Sequence, residues 1–264
     1  MTAKLSGRRA RLFYAPLQRW LLRTSRCIVT ASRVLAQHSK ALQPHRSKVE
    51  VIPYGVDLAR FAWDGRRTSR VSDLLGALGG KPAVLTAGRL VGYKGQRYLL
   101  EACRELDVIV WLVGAGPLEP ELKSLAFSLG LGDRAVFWGA AEDEPFTDLL
   151  HACTVFVLPS ISPAEAFGLV QVEAMACGKP VVNTSVPTGV PWVSQDGVTG
   201  LTVPPADAEA LRLALKRLLS DSAFRHDLGE AARRRAQSEF DQEKMIQRYW
   251  ELFRRLAPGA LNTS

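Results

Sequence analysis

Two carboxylates eight positions apart, Glu165 and Glu173, bracket an Ala-Phe-Gly-Leu-Val-Gln-Val segment in this 264-residue chain. With a helix beginning near Phe167 to Leu169, eight residues correspond to about 12 Å of helical rise, so the two groups cannot grip one atom. They suit the two ends of an extended ligand, with the free N–H groups of Phe167, Gly168 and Leu169 turned toward an anion between them. A nucleotide-diphosphate sugar has that layout: sugar hydroxyls, diphosphate, ribose hydroxyls. The competing account is a capping Glu165 and an unrelated Glu173 on a helix face.

Cations that would meet such an anion lie in Thr86-Ala-Gly-Arg-Leu-Val-Gly-Tyr-Lys-Gly, where Gly88, Arg89, Lys94 and Gly95 fall between an apolar run and a helical pattern. Glycines permit close backbone approach, and two bases beside a helix N-terminus suit a phosphate or diphosphate. The segment lacks the P-loop spacing. A surface turn with two solvated bases explains it as well. Gly114 and Gly116 in Leu112-Val-Gly-Ala-Gly-Pro-Leu-Glu begin like a dinucleotide fingerprint, but Glu119 stands at the third glycine position, so no nicotinamide cofactor is implied. A tight turn beside a nucleotide base fits the same residues. The Gly- and Pro-punctuated Thr188-Gly-Val-Pro-Trp segment either closes over the site or simply turns.

These residues need strands to end where they begin. Short β-branched runs predict strands at 83–87, 108–113, 135–138, 155–158, 181–183 and 201–203, alternating with helices at 96–103, 118–129, 146–152, 169–177 and 208–219. Strict alternation predicts an α/β fold, a Rossmann-like parallel sheet with helices on both faces, whose ligands bind at the carboxyl ends of the strands. Residues 1–63 hold too little for a second sheet: a helix at 10–23, a strand at 27–30, a helix at 32–41 and a strand at 49–52. They read as the remnant of a larger N-terminal domain. Residues 64–80 read as a linker, 81–241 as the main domain and 242–264 as a final helix.

The composition, 47% apolar and 23% charged, excludes disorder, collagen and a disulfide scaffold, and no apolar run reaches the roughly 20 residues of a membrane span. A cytoplasmic location is expected. The net charge of +8 is uneven: residues 1–49 carry eleven Lys and Arg and no acid, leaving the remainder at −3. With Leu12, Phe13, Leu17, Trp20 and Leu21 on one face, this arm suits peripheral contact with an anionic membrane, or a solvated helix face. Nucleic acid is the weaker alternative, for want of a recognition motif. Ile246, Tyr249, Trp250 and Phe253 form a second apolar stripe, expected to pack against the first and to promote self-association or vesicle binding. His38, His45, His151 and His226, and Cys27, Cys103, Cys153 and Cys177, are scattered, so no metal site and no Ser/His/Asp triad is expected.

Taken in order, Ile28-Val-Thr-Ala-Ser, Val51-Ile-Pro-Tyr-Gly-Val-Asp, Gly88-Arg-Leu with Lys94-Gly95, Val113-Gly-Ala-Gly-Pro, Leu149-Leu-His-Ala-Cys-Thr-Val-Phe-Val-Leu-Pro-Ser and Glu165 through Glu173-Ala-Met-Ala-Cys-Gly-Lys-Pro-Val resemble the C-terminal half of a family 4 glycosyltransferase (glycosyl transferase group 1, GT-B fold). The resemblance implies a retaining transferase moving a sugar from a nucleotide-diphosphate sugar to a polysaccharide or lipid-linked acceptor, without a cofactor. It assigns Arg89 and Lys94 to the diphosphate, Glu173 to the ribose hydroxyls and Glu165 to the donor sugar, with Gly88, Gly114, Gly116 and the amides of Phe167, Gly168 and Leu169 as neighbours. Where many members have Gly-Gly-x-Pro-Glu, this chain has Thr188-Gly-Val-Pro-Trp. Because the acceptor domain reads as a remnant, a donor-binding subunit working with an acceptor-domain partner is the alternative function.

Overall fold

The strand runs Ala83–Ala87, Val155–Leu158 and Val181–Thr184 are mostly apolar, with Thr86, Asn183 and Thr184 the exceptions, and are buried throughout. Such strands form where both faces of a parallel sheet are covered. In the computed structural model, which describes residues 3–257, with side chains from Tyr14 onward, they do so. Strands β1 (Ile28–Thr30) and β2 (Val49–Val51) pair in parallel by themselves. Strands β3 (Ala83–Ala87), β4 (Ile109–Val113), β5 (Ala135–Gly139), β6 (Val155–Leu158), β7 (Val181–Thr184) and β8 (Gly200–Val203) form one parallel sheet in the order β5-β4-β3-β6-β7-β8. The chain therefore winds outward one way from β3 and the other way from β6. Their boundary is the topological switch point, beside which open parallel sheets of this kind bind their ligands.

Eleven α-helices occur among the described residues: α1 (Ala3–Thr24), α2 (Arg33–His38), α3 (Thr68–Ala77), α4 (Gln96–Cys103), α5 (Glu119–Ser128), α6 (Asp143–Ala152), α7 (Leu169–Ala176), α8 (Val190–Val193), α9 (Ala208–Ser220), α10 (Ser222–Glu239) and α11 (Gln242–Leu256). Alternate strand residues Val84, Val110, Leu112, Val155 and Val157 pack with Leu99, Leu122, Leu215 and Leu218 of α4, α5 and α9, as the two-residue period of a strand requires. Helices α6 and α7 cover the other face, with α3 lying on α6 and α10 on α7.

The expected linker at 64–80 is instead an ordered element. Asp64 Oδ1 accepts from Arg66 N, a 3-10 turn Gly65–Arg67 follows, and α3 begins at Thr68. Arg67 and Arg70, three apart on one helical face, reach the buried Asp148 of α6 at 2.7 and 2.5 Å. Burial opposes the Asp148 charge, yet hydrogen bonds from Arg70 and Arg67 outweigh it and hold its carboxyl below the usual range. The Arg-, Ser- and Gly-rich composition concealed a helix whose anchoring is ionic. Helix α10, with few apolar residues, was likewise not expected.

Two compact units result, Tyr54–Met245 and Met1–Pro53 with Ile246–Ser264. The first break thus falls at Pro53, ten residues before the expected one. In the smaller unit, Ser32 caps α2 through the Leu35 amide, and Lys48 Nζ donates to the carbonyls of Arg23 and Ser25, tying the end of α1 to the residue that precedes β2. Arg26 donates to the carbonyl of Leu256, and Arg255 pairs with Glu50. The two apolar stripes do not bury one another: Leu17, Trp20 and Leu21 are exposed, as are Ile246, Trp250 and Phe253, while Leu252 is the buried residue of α11. The side chains of Leu12 and Phe13 lie outside the described residues.

Candidate functional site

The loops leaving β3 and β6 meet at the switch point. After β3 the chain runs against the loop after β4: Gly88 N donates to Val113 O at 2.9 Å and Leu90 N to Ala115 O at 3.0 Å. Gly114 has φ +124°, and a Cβ there would lie 2.1 Å from the Gly88 carbonyl oxygen; one at Gly116 would lie 2.4 Å from the Leu90 oxygen. Only glycine lets the two loops touch. These glycines therefore serve loop-on-loop packing, and the loop so fixed carries Arg89 and Lys94.

A 3-10 turn, Gly92–Lys94, places Lys94, and the Tyr93 carbonyl accepts from Ile161 N of the loop after β6 at 2.8 Å. Across that seam Lys94 Nζ meets Glu165 Oε2 at 2.5 Å, with side-chain exposures of only 13% and 11%. Ser160 Oγ donates to the same oxygen at 3.2 Å, and Ser160 is itself fixed by Thr184, which donates to its carbonyl at 2.5 Å. Both protein partners use Oε2. Glu165 Oε1 has none among the described residues. Arg89 is exposed, and among the described residues no carboxylate pairs with it; its carbonyl accepts from the buried Gln96 at 3.0 Å.

Helix α7 starts at Leu169, after Gly168 in the left-handed region at φ +72°, so Glu165 lies outside the helix and the span between the carboxylates is only partly helical. The amides of Phe167, Gly168 and Leu169 have no backbone acceptor among the described residues. Phe167 is buried in an aromatic cluster, with Tyr54, Phe240 and Trp192 at ring distances of 5.2, 5.9 and 6.2 Å. Its side chain anchors the turn, and Leu169 projects outward. Trp192 belongs to this cluster, and Gly189 N donates to Ala166 O, so the Thr188–Trp192 segment braces the loop from behind.

Glu173 lies in the second turn of α7, half-buried, and no hydrogen bond or ion pair satisfies its carboxylate among the described residues. Burial raises its pKa, Arg60 opposes the rise and Asp143 adds to it. Arg60 and Asp143 pair with each other and line a cavity of about 420 Å³ with Trp63 and Thr147. A separate, mostly apolar cavity of about 410 Å³ between α3 and α6 shares no residue with the switch-point loops. His151 is held by the Phe61 carbonyl and Trp63, away from those loops, and no group of three His, Cys, Asp or Glu among the described residues is placed to hold a metal ion. The four cysteines are free thiols; burial pushes Cys103 up to about 12 and Cys153 to about 11, so these two are poor nucleophiles.

Lys94 thus bridges the loop that carries Gly88 to Glu165, the Phe167–Leu169 turn follows Glu165 directly, and Glu173 lies along the helix that begins there. Sequence reasoning missed Ser160, Gln96 and Thr184. A buried hydroxyl or amide carries no spacing signal, although Ser160 stands two residues past the end of β6, where such sheets bind ligands.

The family model described as "Glycosyl transferases group 1" matches residues 73–235. The O-antigen chain mannosyltransferase C of Escherichia coli is 32% identical over 91% of this chain and 63% of its own length. The D-rhamnosyltransferase WbpZ of Pseudomonas aeruginosa is 35% identical over 84% of this chain and 57% of its own. The chain thus spans about three fifths of these relatives. Among solved structures, Anabaena Alr3699/HepE in complex with UDP superimposes with a TM-score of 0.80 at 26% identity, over 89% of this chain and 65% of that one. None of the helices of the described residues is long and apolar enough to cross a membrane.

Proposed function

The chain belongs to the group 1 glycosyltransferase family, and from that premise we propose that its switch-point crevice is the donor site of a retaining family 4 enzyme. It takes a nucleoside-diphosphate sugar and passes the sugar to a polysaccharide or lipid-linked acceptor. The observation that carries this reading is the Lys94–Glu165–Ser160 assembly, which joins two loops at the one place in the sheet where a ligand crevice must open. The UDP complex of Alr3699/HepE supports the ligand class, and the names of the two relatives support transfer of a hexose.

The chemistry follows from charge. As the glycosidic bond stretches, the sugar becomes oxocarbenium-like and negative charge grows on the departing diphosphate. Arg89, which has no carboxylate partner among the described residues, and Lys94, whose charge Glu165 only partly offsets, stabilise that growing charge together with the amides before α7. One such donor is worth roughly 2.7–4 kcal/mol in the transition state. Glu165 Oε1 accepts from a hydroxyl of the donor sugar, and the Glu173 carboxylate accepts from the ribose hydroxyls. Nothing in these steps distinguishes uracil from guanine.

The exposed Tyr14, Leu17, Trp20 and Leu21 of α1, within a segment of eleven cations and no acid, favour work at an anionic membrane surface from the cytoplasmic side. The test of the main proposal is release of UDP or GDP from nucleotide-sugars mixed with the chain and lipid-linked or polysaccharide acceptors. Release should fall at least a hundredfold in Arg89→Ala. A folded chain that binds neither nucleotide would overturn the proposal.

A further inference from the structure

Gln171 and Asn183 are fully buried amides between α7 and β7. Gln171 Nε2 donates to the Phe167 carbonyl at 2.7 Å and to that of Val190 at 3.3 Å, and its Oε1 accepts from Asn183 Nδ2 at 3.2 Å. Asn183 Nδ2 also donates to the carbonyls of Val190 and Ser194 at 3.1 and 3.0 Å, and its Oδ1 accepts from Thr202 Oγ1 at 2.8 Å. The partners fix both orientations. Turning Gln171 over would set its oxygen against two carbonyls.

This network is costly where it stands. Its neighbours on α7, Val172 and Met175, are fully buried apolar residues, and an apolar side chain at 171 would fill the same space without burying two amides. Its effect is on one peptide. Where a regular helix would give the Phe167 carbonyl the backbone N–H of residue 171, that N–H goes to Gly168 O at 3.0 Å and the Gln171 side chain takes the Phe167 carbonyl. In a trans peptide the carbonyl and the following N–H point opposite ways. Drawing the Phe167 oxygen inward therefore turns the Gly168 N–H the opposite way, away from the core, where no backbone acceptor among the described residues meets it. A Cβ on Gly168 would lie 2.5 Å from Leu158 Cδ2 and 3.1 Å from Gln171 Nε2, so the amide is wedged directly behind this residue.

We propose that Gln171, oriented by Asn183, is a positioning residue that presets the Gly168 N–H as a donor to a diphosphate oxygen of the sugar nucleotide. The inference rests on the donor-site reading and deepens it. A donor already aimed needs no reorganisation when charge develops, which is where such a group is most effective. Freed from Gln171, the Phe167 carbonyl would be left unpaired in the core and the peptide would rotate to relieve it.

Titration of the whole chain with UDP, GDP, uridine and guanosine separates the parts, because only the diphosphate reaches Gly168. In Gln171→Met, which keeps the volume and removes both amide functions, the preference for nucleoside diphosphate over nucleoside should fall about tenfold, with nucleoside affinity held within twofold. Asn183→Ser, which leaves Gln171 less firmly oriented, should lower the same preference by a smaller factor. In the unaltered protein the Gly168 amide proton should move strongly downfield on adding UDP or GDP and stay in place on adding the nucleoside. That measurement needs no variant to fold. A folded Gln171→Met chain with its preference intact, or a Gly168 resonance indifferent to the diphosphate, would overturn this inference while leaving the donor site standing. Failure of the unaltered chain to bind either nucleotide would overturn both.

Discussion

The loop before α7 and the second turn of α7 each present a carboxylate, and the two are built in opposite ways. Glu165 is buried with its charge already answered by Lys94 and Ser160. Glu173 is half-buried with no hydrogen-bond or ion-pair partner among the described residues, and burial raises its pKa. The first is a finished piece of structure whose second oxygen is on offer; the second carries a charge that folding does not satisfy. On the proposed reading, ribose hydroxyls supply the donors that the Glu173 carboxylate lacks among the described residues.

The comparison breaks most visibly at Lys94. Lys94→Met strands the Glu165 carboxylate in a nearly buried position, and stability measured by denaturant unfolding should drop by about 3–5 kcal/mol. Adding Glu165→Gln to that variant should restore much of the loss, because the stranded charge is gone. If both single and double variants unfold like the parent, the seam between the two loops does not hold the fold.

Glu173→Gln should act in the opposite sense, stabilising the folded chain by on the order of 1 kcal/mol at neutral pH. A carboxyl whose folded pKa lies above its unfolded value loses stability as pH rises, since the folded state prefers the proton. The variant's advantage should thus be absent below about pH 4.5, the ordinary value, and full above the raised one. A midpoint difference that shrinks as pH rises would reverse the assignment.

A smaller effect sharpens the boundary of the site. His151, pushed down to about 4 chiefly by burial and by Lys179, is neutral in the fold. Its lowered pKa makes its contribution present above pH 6.5 and lost as pH falls toward 4. His151→Gln, whose side-chain amide can still donate to the Phe61 carbonyl, should flatten that part of the acid limb without changing nucleotide affinity.

The strands and the carboxylates were legible in the sequence because burial on both faces writes continuous apolar runs, and because Glu165, Phe167, Gly168 and Glu173 sit within nine residues. Strand limits fell within a residue of those seen, as at Val181–Thr184. The Lys94–Glu165 pair was not legible: its members are 71 residues apart, and only the order that sets β3 beside β6 brings them together. Gly114 and Gly116 read in the sequence as a tight turn beside a nucleotide base; in the structure they also make room for the loop after β3. Helix α3 was lost to composition, since Arg67 and Arg70 look like solvated charges until Asp148 is placed under them.

Calorimetric titration of the two ends of the site tests the donor assignment most directly. The account predicts that UDP or GDP binds the folded chain, that Glu173→Gln weakens nucleoside and nucleoside diphosphate by one common factor of roughly 10 to 100, and that Arg89→Ala weakens the diphosphate alone. Absence of binding by either nucleotide, or a Glu173→Gln chain that binds both as the parent does, would contradict it.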